Sequence, residues 1–103
     1  MATRSTKETK VIERLLAERF PGYPEEWPPR AYRYNSASIR IRIVHAMFED
    51  KTKSDRDRLV RAVIRTLPEE TQSDITVLLL LTPEELDASM MNREFEHPSP
   101  SAL

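Results

Sequence analysis

The fold is decided by the stretch Ser38-Ile39-Arg40-Ile41-Arg42-Ile43-Val44, in which apolar and charged side chains alternate with a period of two. That period predicts a β-strand with the isoleucines facing a core and the two arginines facing water. Because a one-residue slip in pairing would bury both arginines at a high desolvation cost, we expect the register of this strand to be fixed.

The composition bounds the class of protein. The 103 residues suffice for one domain, and folding at this size buries roughly two thirds of the unfolded chain's surface. Cysteine is absent, which excludes disulfides, thiolate metal sites and cysteine nucleophiles. The single glycine, Gly22, excludes the glycine-rich loops that cradle phosphates in Walker and dinucleotide folds. No apolar signal core opens the chain, and no apolar run approaches the ~20 residues of a membrane span, so we expect a cytoplasmic protein without a membrane segment.

Charge is distributed unevenly along the chain. Residues 30–65 carry a net charge of +6 and residues 66–103 a net charge of -7, whereas the first 29 residues are neutral overall. Such a polarity can steer a charged partner toward one part of the molecule.

The N-terminal third predicts a helix followed by a stiff connector. Apolar residues at helical spacing indicate a helix over residues 6–20, opened by a capping box of Ser5 and Glu8. Residues 21–30 are rich in proline and can propagate neither a helix nor a central strand. Trp27 lies in this connector, and its large indole is better suited to packing over an apolar surface than to an exposed recognition role.

The middle of the chain predicts a hairpin and a helix. Residues 31–34 form a short strand candidate, and the turn chemistry of residues 35–38 would pair it with the isoleucine-arginine strand. After a polar loop, Ser54 is a candidate N-cap. The helix that follows has a predicted buried stripe of Leu59, Val60, Val63, Ile64 and Leu67.

The last third predicts a strand, a helix and a tail. Residues 75–81 are almost continuously apolar, typical of a strand buried on both faces, although so many leucines also allow a helix. Thr82-Pro83-Glu84-Glu85 has the cap, proline and acids of a helix start, and that helix would run to Met90 or Met91. We expect one domain over residues 1–91, and a disordered tail over residues 92–103 with Phe95 as its apolar anchor.

These elements predict an α+β fold in the order α-β-β-α-β-α. The strand at 75–81 would run parallel to the isoleucine-arginine strand through a right-handed crossover, and the hairpin partner would run antiparallel. The result is a small mixed three-stranded sheet with helices on one face.

Four short segments resemble the BolA family: residues 39–44, 48–51 and 55–60, and the strand that closes on residues 82–86. The family pattern is a strand, a Phe-Glu-Gly-Lys turn, a helix opening Arg-His-Arg-Leu-Val, and a last strand ending Thr-Pro-Glu-Glu. The resemblance covers about residues 31–86 and implies a BolA-like core, topologically similar to a type II KH domain.

The resemblance also implies a partner. BolA-like proteins share an iron-sulfur cluster with monothiol glutaredoxins through a histidine of that helix, and the matching residue here is Asp57. The loop that supplies a second ligand in the family is shortened to residues 35–38. A carboxylate is a harder and poorer ligand for such iron. The expectation is therefore a non-enzymatic protein-interaction module without a resident cofactor, acting with a monothiol glutaredoxin in iron-sulfur or stress regulation.

Basic residues support nucleic-acid binding as the alternative function. A basic surface for phosphates could form from seven side chains, namely Arg40, Arg42, Lys51, Lys53, Arg58, Arg61 and Arg65. A solvated helix face explains the helical arginines more simply, and the chain lacks the Gly-x-x-Gly loop of KH-type RNA binding.

His45 is a candidate crevice residue. It lies at the carboxyl end of the isoleucine-arginine strand, where α/β ligand crevices form, although a strand-end histidine bonded to backbone is the simpler interpretation. Neither His45 nor His97 has the spacing of a metal site. A triad of Ser54, His45 and Asp50 would lack a nucleophile elbow, so no catalytic residue is predicted.

Overall fold

The computed structural model describes residues 4–101 and consists of a three-stranded mixed sheet packed with helices. The α-helices are α1 (Lys7–Arg19), α2 (Lys53–Ile64), α3 (Glu69–Asp74) and α4 (Met90–Glu96), and the strands are β1 (Arg30–Asn35), β2 (Ser38–Val44) and β3 (Ile75–Leu81). Short 3-10 helices cover Ala46–Phe48 and Pro83–Glu85. The predicted α+β class and element order are confirmed.

The isoleucine-arginine strand is β2, the central strand of the sheet. It pairs antiparallel with β1 and parallel with β3, so that Ile41 lies between Ala31 and Leu78. Residues 75–81 therefore form a strand and not a helix, as the apolar run favoured. They form an edge strand, however, and Thr76 is exposed, so the expectation of a strand buried on both faces holds only in part.

The main core lies between one face of the sheet and helices α1 and α2. Ile39, Ile41 and Ile43 are fully buried against Ile12 and Leu16 of α1 and against apolar residues of α2. The buried residues of α2 are Arg56, Val60, Val63 and Ile64. Leu59 was predicted in this stripe, but it is exposed, because the buried face turns toward Arg56 instead.

The C-terminal segment corrects two predictions. The helix expected from residue 82 is only the 3-10 helix Pro83–Glu85, and a separate helix, α4, begins at Met90. Residues 92–101 are not a disordered tail, since α4 packs on the face of the sheet opposite α1 and α2. Phe95 is only 2 % exposed there, and its carbonyl accepts a 2.6 Å hydrogen bond from the hydroxyl of Tyr32. Helices therefore cover both faces of the sheet.

Two further predictions are wrong: the helices are not confined to one face of the sheet, and the arginines of β2 do not face water. Arg42 is 3 % exposed and donates to Glu96 at 2.8 Å and to Asn92 at 2.8 Å. Arg40 donates to Glu94 at 3.0 Å. The alternation of β2 was interpreted correctly as two faces, but α4 covers the charged face and supplies the acids that compensate its desolvation.

Both predicted helix caps are displaced by one or two residues. Thr6 caps α1, because its side chain and that of Thr9 bond reciprocally to each other's backbone, whereas Glu8 bonds to Arg33. Thr52 caps α2 by accepting from the amide of Asp55 at 3.1 Å. Among residues 4–101, no helix is both long enough and apolar enough to cross a bilayer.

Candidate functional site

A groove of about 1180 Å³ follows the outer edge of β3, and we call it the β3 groove. One wall is α2 with the loop before it, and the other is the segment after β3. The lining residues are Lys51, Lys53, Ser54, Arg56, Asp57, Arg58, Arg61, Arg65, Leu78, Leu79, Leu80, Leu81, Glu85, Ala88, Ser89, Met90 and Met91.

The floor of the groove is an unpaired strand edge. Within the described chain β3 pairs only with β2, and the carbonyl of Leu81 accepts from the amide of His45 on that side at 2.9 Å. Successive peptide groups of a strand point to opposite sides, so Leu79 and Leu81 bond toward β2. The backbone groups of Leu78 and Leu80 therefore point outward, into the groove.

A buried arginine clamps one end of this edge. The Arg56 guanidinium donates to the outward carbonyl of Leu80 at 3.0 Å and to the carbonyl of Lys51 at 3.1 Å. It also forms a bidentate ion pair with Glu85, at 2.7 and 3.1 Å. Arg56 thus ties α2, β3 and the segment after β3 together and fixes the two walls of the groove.

The pairing holds the Glu85 carboxylate ionised. The Arg56 guanidinium, followed by the backbone amide of Thr82, lowers the pKa of Glu85 from 4.5 to about 2. That amide donates to Glu85 at 3.0 Å. Glu85 therefore has a structural role at the end of the groove, where its carboxylate caps the 3-10 helix and pairs with Arg56.

The α2 wall carries a row of cations, which we call the basic stripe: Lys53, Arg58, Arg61 and Arg65. Arg58, Arg61 and Arg65 follow one another at intervals of three and four residues, so they lie along one side of the helix, and Lys53 lies in its first turn. Arg58 donates to Asp55 at 3.0 Å and Arg61 to Asp57 at 2.9 Å, but both pairs are solvent-exposed and worth little. With Lys51 and Arg56, six basic and two acidic side chains line the groove, a net charge of +4.

The opposite wall is apolar. Met90 is 78 % exposed and Met91 is 53 % exposed, the two most exposed large hydrophobic residues described. Both line the groove beside Ala88 and the leucines of β3. Exposed, flexible methionines at a groove are typical of surfaces that adapt to a partner's side chains.

Five of the seven predicted basic residues meet in this one groove. Lys51, Lys53, Arg58, Arg61 and Arg65 all line it. Arg40 and Arg42, in contrast, lie on the sheet face that α4 covers, in ion pairs with Glu94 and Glu96. Their inclusion in a phosphate-binding surface was wrong, because both guanidinium groups are already paired with these carboxylates.

Asp57, which the resemblance to BolA proteins matches to their cluster histidine, also lines the groove. Its carboxylate accepts from Arg61, and within residues 4–101 no group of three or more histidine, aspartate or glutamate side chains is placed to hold a metal. A paired, hard carboxylate does not fit the role of a ligand to an iron-sulfur cluster.

His45 is fully engaged by backbone. Its Nδ1 accepts from the amide of Met47 at 3.1 Å, so Nε2 carries the proton and donates to the carbonyl of Pro21 at 2.8 Å. Gly22, with φ of 90°, closes the connector over the imidazole. His45 does not line the β3 groove, and both of its ring nitrogens bond to backbone, as the simpler interpretation predicts.

Trp27 borders a second, smaller groove of about 670 Å³ between α1 and the connector. Its ring packs on the Arg42 guanidinium at 5.3 Å. That groove mixes acids such as Glu13 and Glu26 with bases such as Lys10, so it has no single sign of charge. On the neighbouring edge of β1, the amide of Ala31 already donates to Glu13 at 2.9 Å, which makes this groove the weaker candidate.

Sequence reasoning missed four residues that shape the β3 groove, namely Arg56, Glu85, Met90 and Met91. A signal was present for Arg56, because it occupies an apolar position of the helical repeat, four residues before Val60. The methionines carried no such signal, since their exposure depends on where α4 begins.

Comparison of this chain with family models, with curated proteins and with solved structures finds no match. The resemblance to the BolA family therefore stays a prediction, and the function rests on the geometry of the groove.

Proposed function

We propose that this chain is a non-enzymatic protein-interaction module of the cytoplasm that binds its partner in the β3 groove. The observation that carries the proposal is the combination, in one groove, of an open strand edge, a basic wall and two exposed methionines. An open edge is a template for strand pairing, a basic wall attracts acidic side chains, and exposed methionines favour apolar contacts, so one protein segment can satisfy all three.

The resemblance to BolA proteins supplies the first partner to test, a monothiol glutaredoxin in iron-sulfur or stress regulation. Two features of the structure are compatible with a BolA-like core. Asp50 adopts a left-handed backbone, with φ of 63°, where the family's turn has glycine. Arg56 and Glu85, which lie in two of the resembling segments, bond to each other. A BolA-like, KH-type-II-like core would place residues of those segments around the groove.

The test is to mix the chain with a cluster-loaded monothiol glutaredoxin and follow size-exclusion elution and the visible spectrum together. We expect a complex that co-elutes, with the cluster spectrum unchanged because Asp57 does not replace a ligand. Arg61→Glu should weaken the complex, whereas Lys7→Glu, the same charge change outside the groove, should not. Absence of a complex would remove the glutaredoxin assignment, and equal effects of the two variants would remove the groove.

Nucleic-acid binding is the second candidate, favoured by the five predicted cations that share the groove. Phosphate contacts of this kind release counterions, so affinity should fall steeply as salt is raised. A salt titration with mixed single strands and duplexes decides between the candidates. Absent or salt-independent binding would exclude nucleic acid as the ligand.

A further inference from the structure

We infer that the partner segment binds as an added β-strand along β3, and that it is an extended peptide in which acidic and apolar side chains alternate. This inference rests on the proposed function and specifies how the groove is occupied. It follows from the direction of the backbone groups of β3 and from the different chemistry of the two walls.

The outer edge of β3 has unused hydrogen-bonding capacity. The amide and carbonyl of Leu78 and the amide of Leu80 point into the groove, whereas the carbonyl of Leu80 is already taken by Arg56. An extended segment laid along β3 can bond to these groups as a neighbouring strand does. Arg56 marks where that pairing must end.

The walls determine the chemistry of the added strand. Alternate side chains of a strand point to opposite faces, so one set would lie beside α2 and the other beside α4. On the α2 side they would meet Arg58, Arg61 and Arg65, which favour carboxylates. On the other side they would meet Met90 and Met91, which favour apolar side chains.

Charge complementarity also argues against a second copy of this chain as the occupant. Two β3 edges paired about a twofold axis would place basic stripe against basic stripe, with the methionine walls on the other face. Like charges that face each other across an interface oppose association. An acidic partner segment has no such penalty.

The probe is a labelled synthetic peptide of the same length as β3, 7 residues, in which glutamate and valine alternate. Fluorescence anisotropy with the full chain should show saturable binding. A peptide of the same composition with its glutamates and valines in separate blocks should bind about tenfold more weakly, as should an alternating lysine-valine peptide. Equal binding of the alternating and block peptides would overturn the inference, because charge alone would then suffice.

Backbone pairing is tested on the peptide, which leaves the protein unchanged. Only every second amide of an added strand points toward β3. Methylation of one alternate set of peptide nitrogens should therefore abolish binding, and methylation of the other set should leave it within about twofold. The same loss from both sets would exclude strand addition.

The matched change in the protein is Leu78→Pro, which removes one outward amide at an edge position that tolerates proline. It should weaken peptide binding about tenfold, whereas Leu78→Val keeps the amide and should not. If Leu78→Pro does not fold, the methylated peptides still test backbone pairing.

A glutaredoxin complex that depends on Arg61, together with no binding of the alternating peptide, would overturn strand addition while the proposed function stands. A dimer of the free chain in sedimentation would also overturn the inference.

Discussion

At the scale of single residues, buried arginines organise this molecule. Arg33, Arg42 and Arg56 are each less than a tenth exposed, and each bonds to at least one carboxylate. Burying a guanidinium is costly unless it is paired, so removing a partner costs more than a surface contact would suggest. The carboxylates in these pairs are 31 to 43 % exposed, which moderates that cost.

The pair of Arg56 and Glu85 predicts an acid-dependent loss of stability. Because folding lowers the pKa of Glu85 from 4.5 to about 2, its contribution is fully present above pH 4.5 and is lost as the pH falls through 2. Glu85→Gln should lower the free energy of unfolding at neutral pH by about 1 kcal/mol, a modest value because the carboxylate is 43 % exposed. Urea unfolding across pH measures this. Glu84→Gln, at an exposed neighbour, is the control, and an equal loss in both variants would contradict the assignment.

The left-handed backbone of Asp50 predicts a stabilising substitution. Asp50 has φ of 63°, a conformation that costs a side-chain-bearing residue energy and costs glycine none. Asp50→Gly should raise the free energy of unfolding by about 0.5 kcal/mol. Glu49→Gly, at φ of -59°, should lower it, because there the added freedom acts only on the unfolded chain. Thermal unfolding of both proteins checks the opposite signs, and two changes in the same direction would contradict the strain at Asp50.

At the scale of elements, the sheet could be predicted from local sequence patterns. The surroundings of the β2 arginines and the packing of α4 could not, because they depend on long-range contacts. The period-two alternation of β2 and the apolar run of β3 each indicate a strand from neighbouring residues alone, so strand order and direction could be predicted. The environment of Arg40 and Arg42 could not, because Glu94 and Glu96 are more than fifty residues away in sequence. The proline and serine residues after residue 91 predict a disordered tail. The few apolar residues of this segment are nevertheless enough to pack it against the sheet.

Docking of α4 predicts a large effect from one side chain. Phe95→Ala removes a ring that packs against Tyr32 at 4.7 Å between centroids, inside a smaller apolar cluster that these two residues form with Leu79 between the sheet and α4. The free energy of unfolding should fall by about 3 kcal/mol. Met90→Ala, in the same helix but exposed, should change it by less than about 0.5 kcal/mol. Chemical denaturation compares the two, and a small effect of Phe95→Ala would mean that α4 is not docked.

At the scale of the whole molecule, the basic middle and the acidic end of the sequence form ion pairs with each other within the fold. Of the ion pairs between described residues, four join the basic middle of the chain to its acidic end: Arg33–Asp74, Arg40–Glu94, Arg42–Glu96 and Arg56–Glu85. Half of the eight acids in residues 66–103 are paired in these contacts. The positive charge that remains is concentrated in the β3 groove, beside the open edge.

This distribution predicts a monomer. Cations beside an edge strand oppose edge-to-edge pairing of identical chains. Sedimentation of the wild-type chain should show one species, and the double substitution Arg61→Gln and Arg65→Gln should increase self-association. A wild-type dimer would contradict the account.

The most direct test of the central claim is amide hydrogen exchange at Leu78, measured with and without the alternating glutamate-valine peptide. In the free chain we expect the Leu78 amide to exchange quickly, because it points into the groove, and the Leu79 amide to exchange slowly, because it bonds to β2. Saturating peptide should slow exchange at Leu78 by about tenfold or more and leave Leu79 unchanged. A Leu78 amide that is already protected, or that the peptide does not protect, would contradict the open edge and its use.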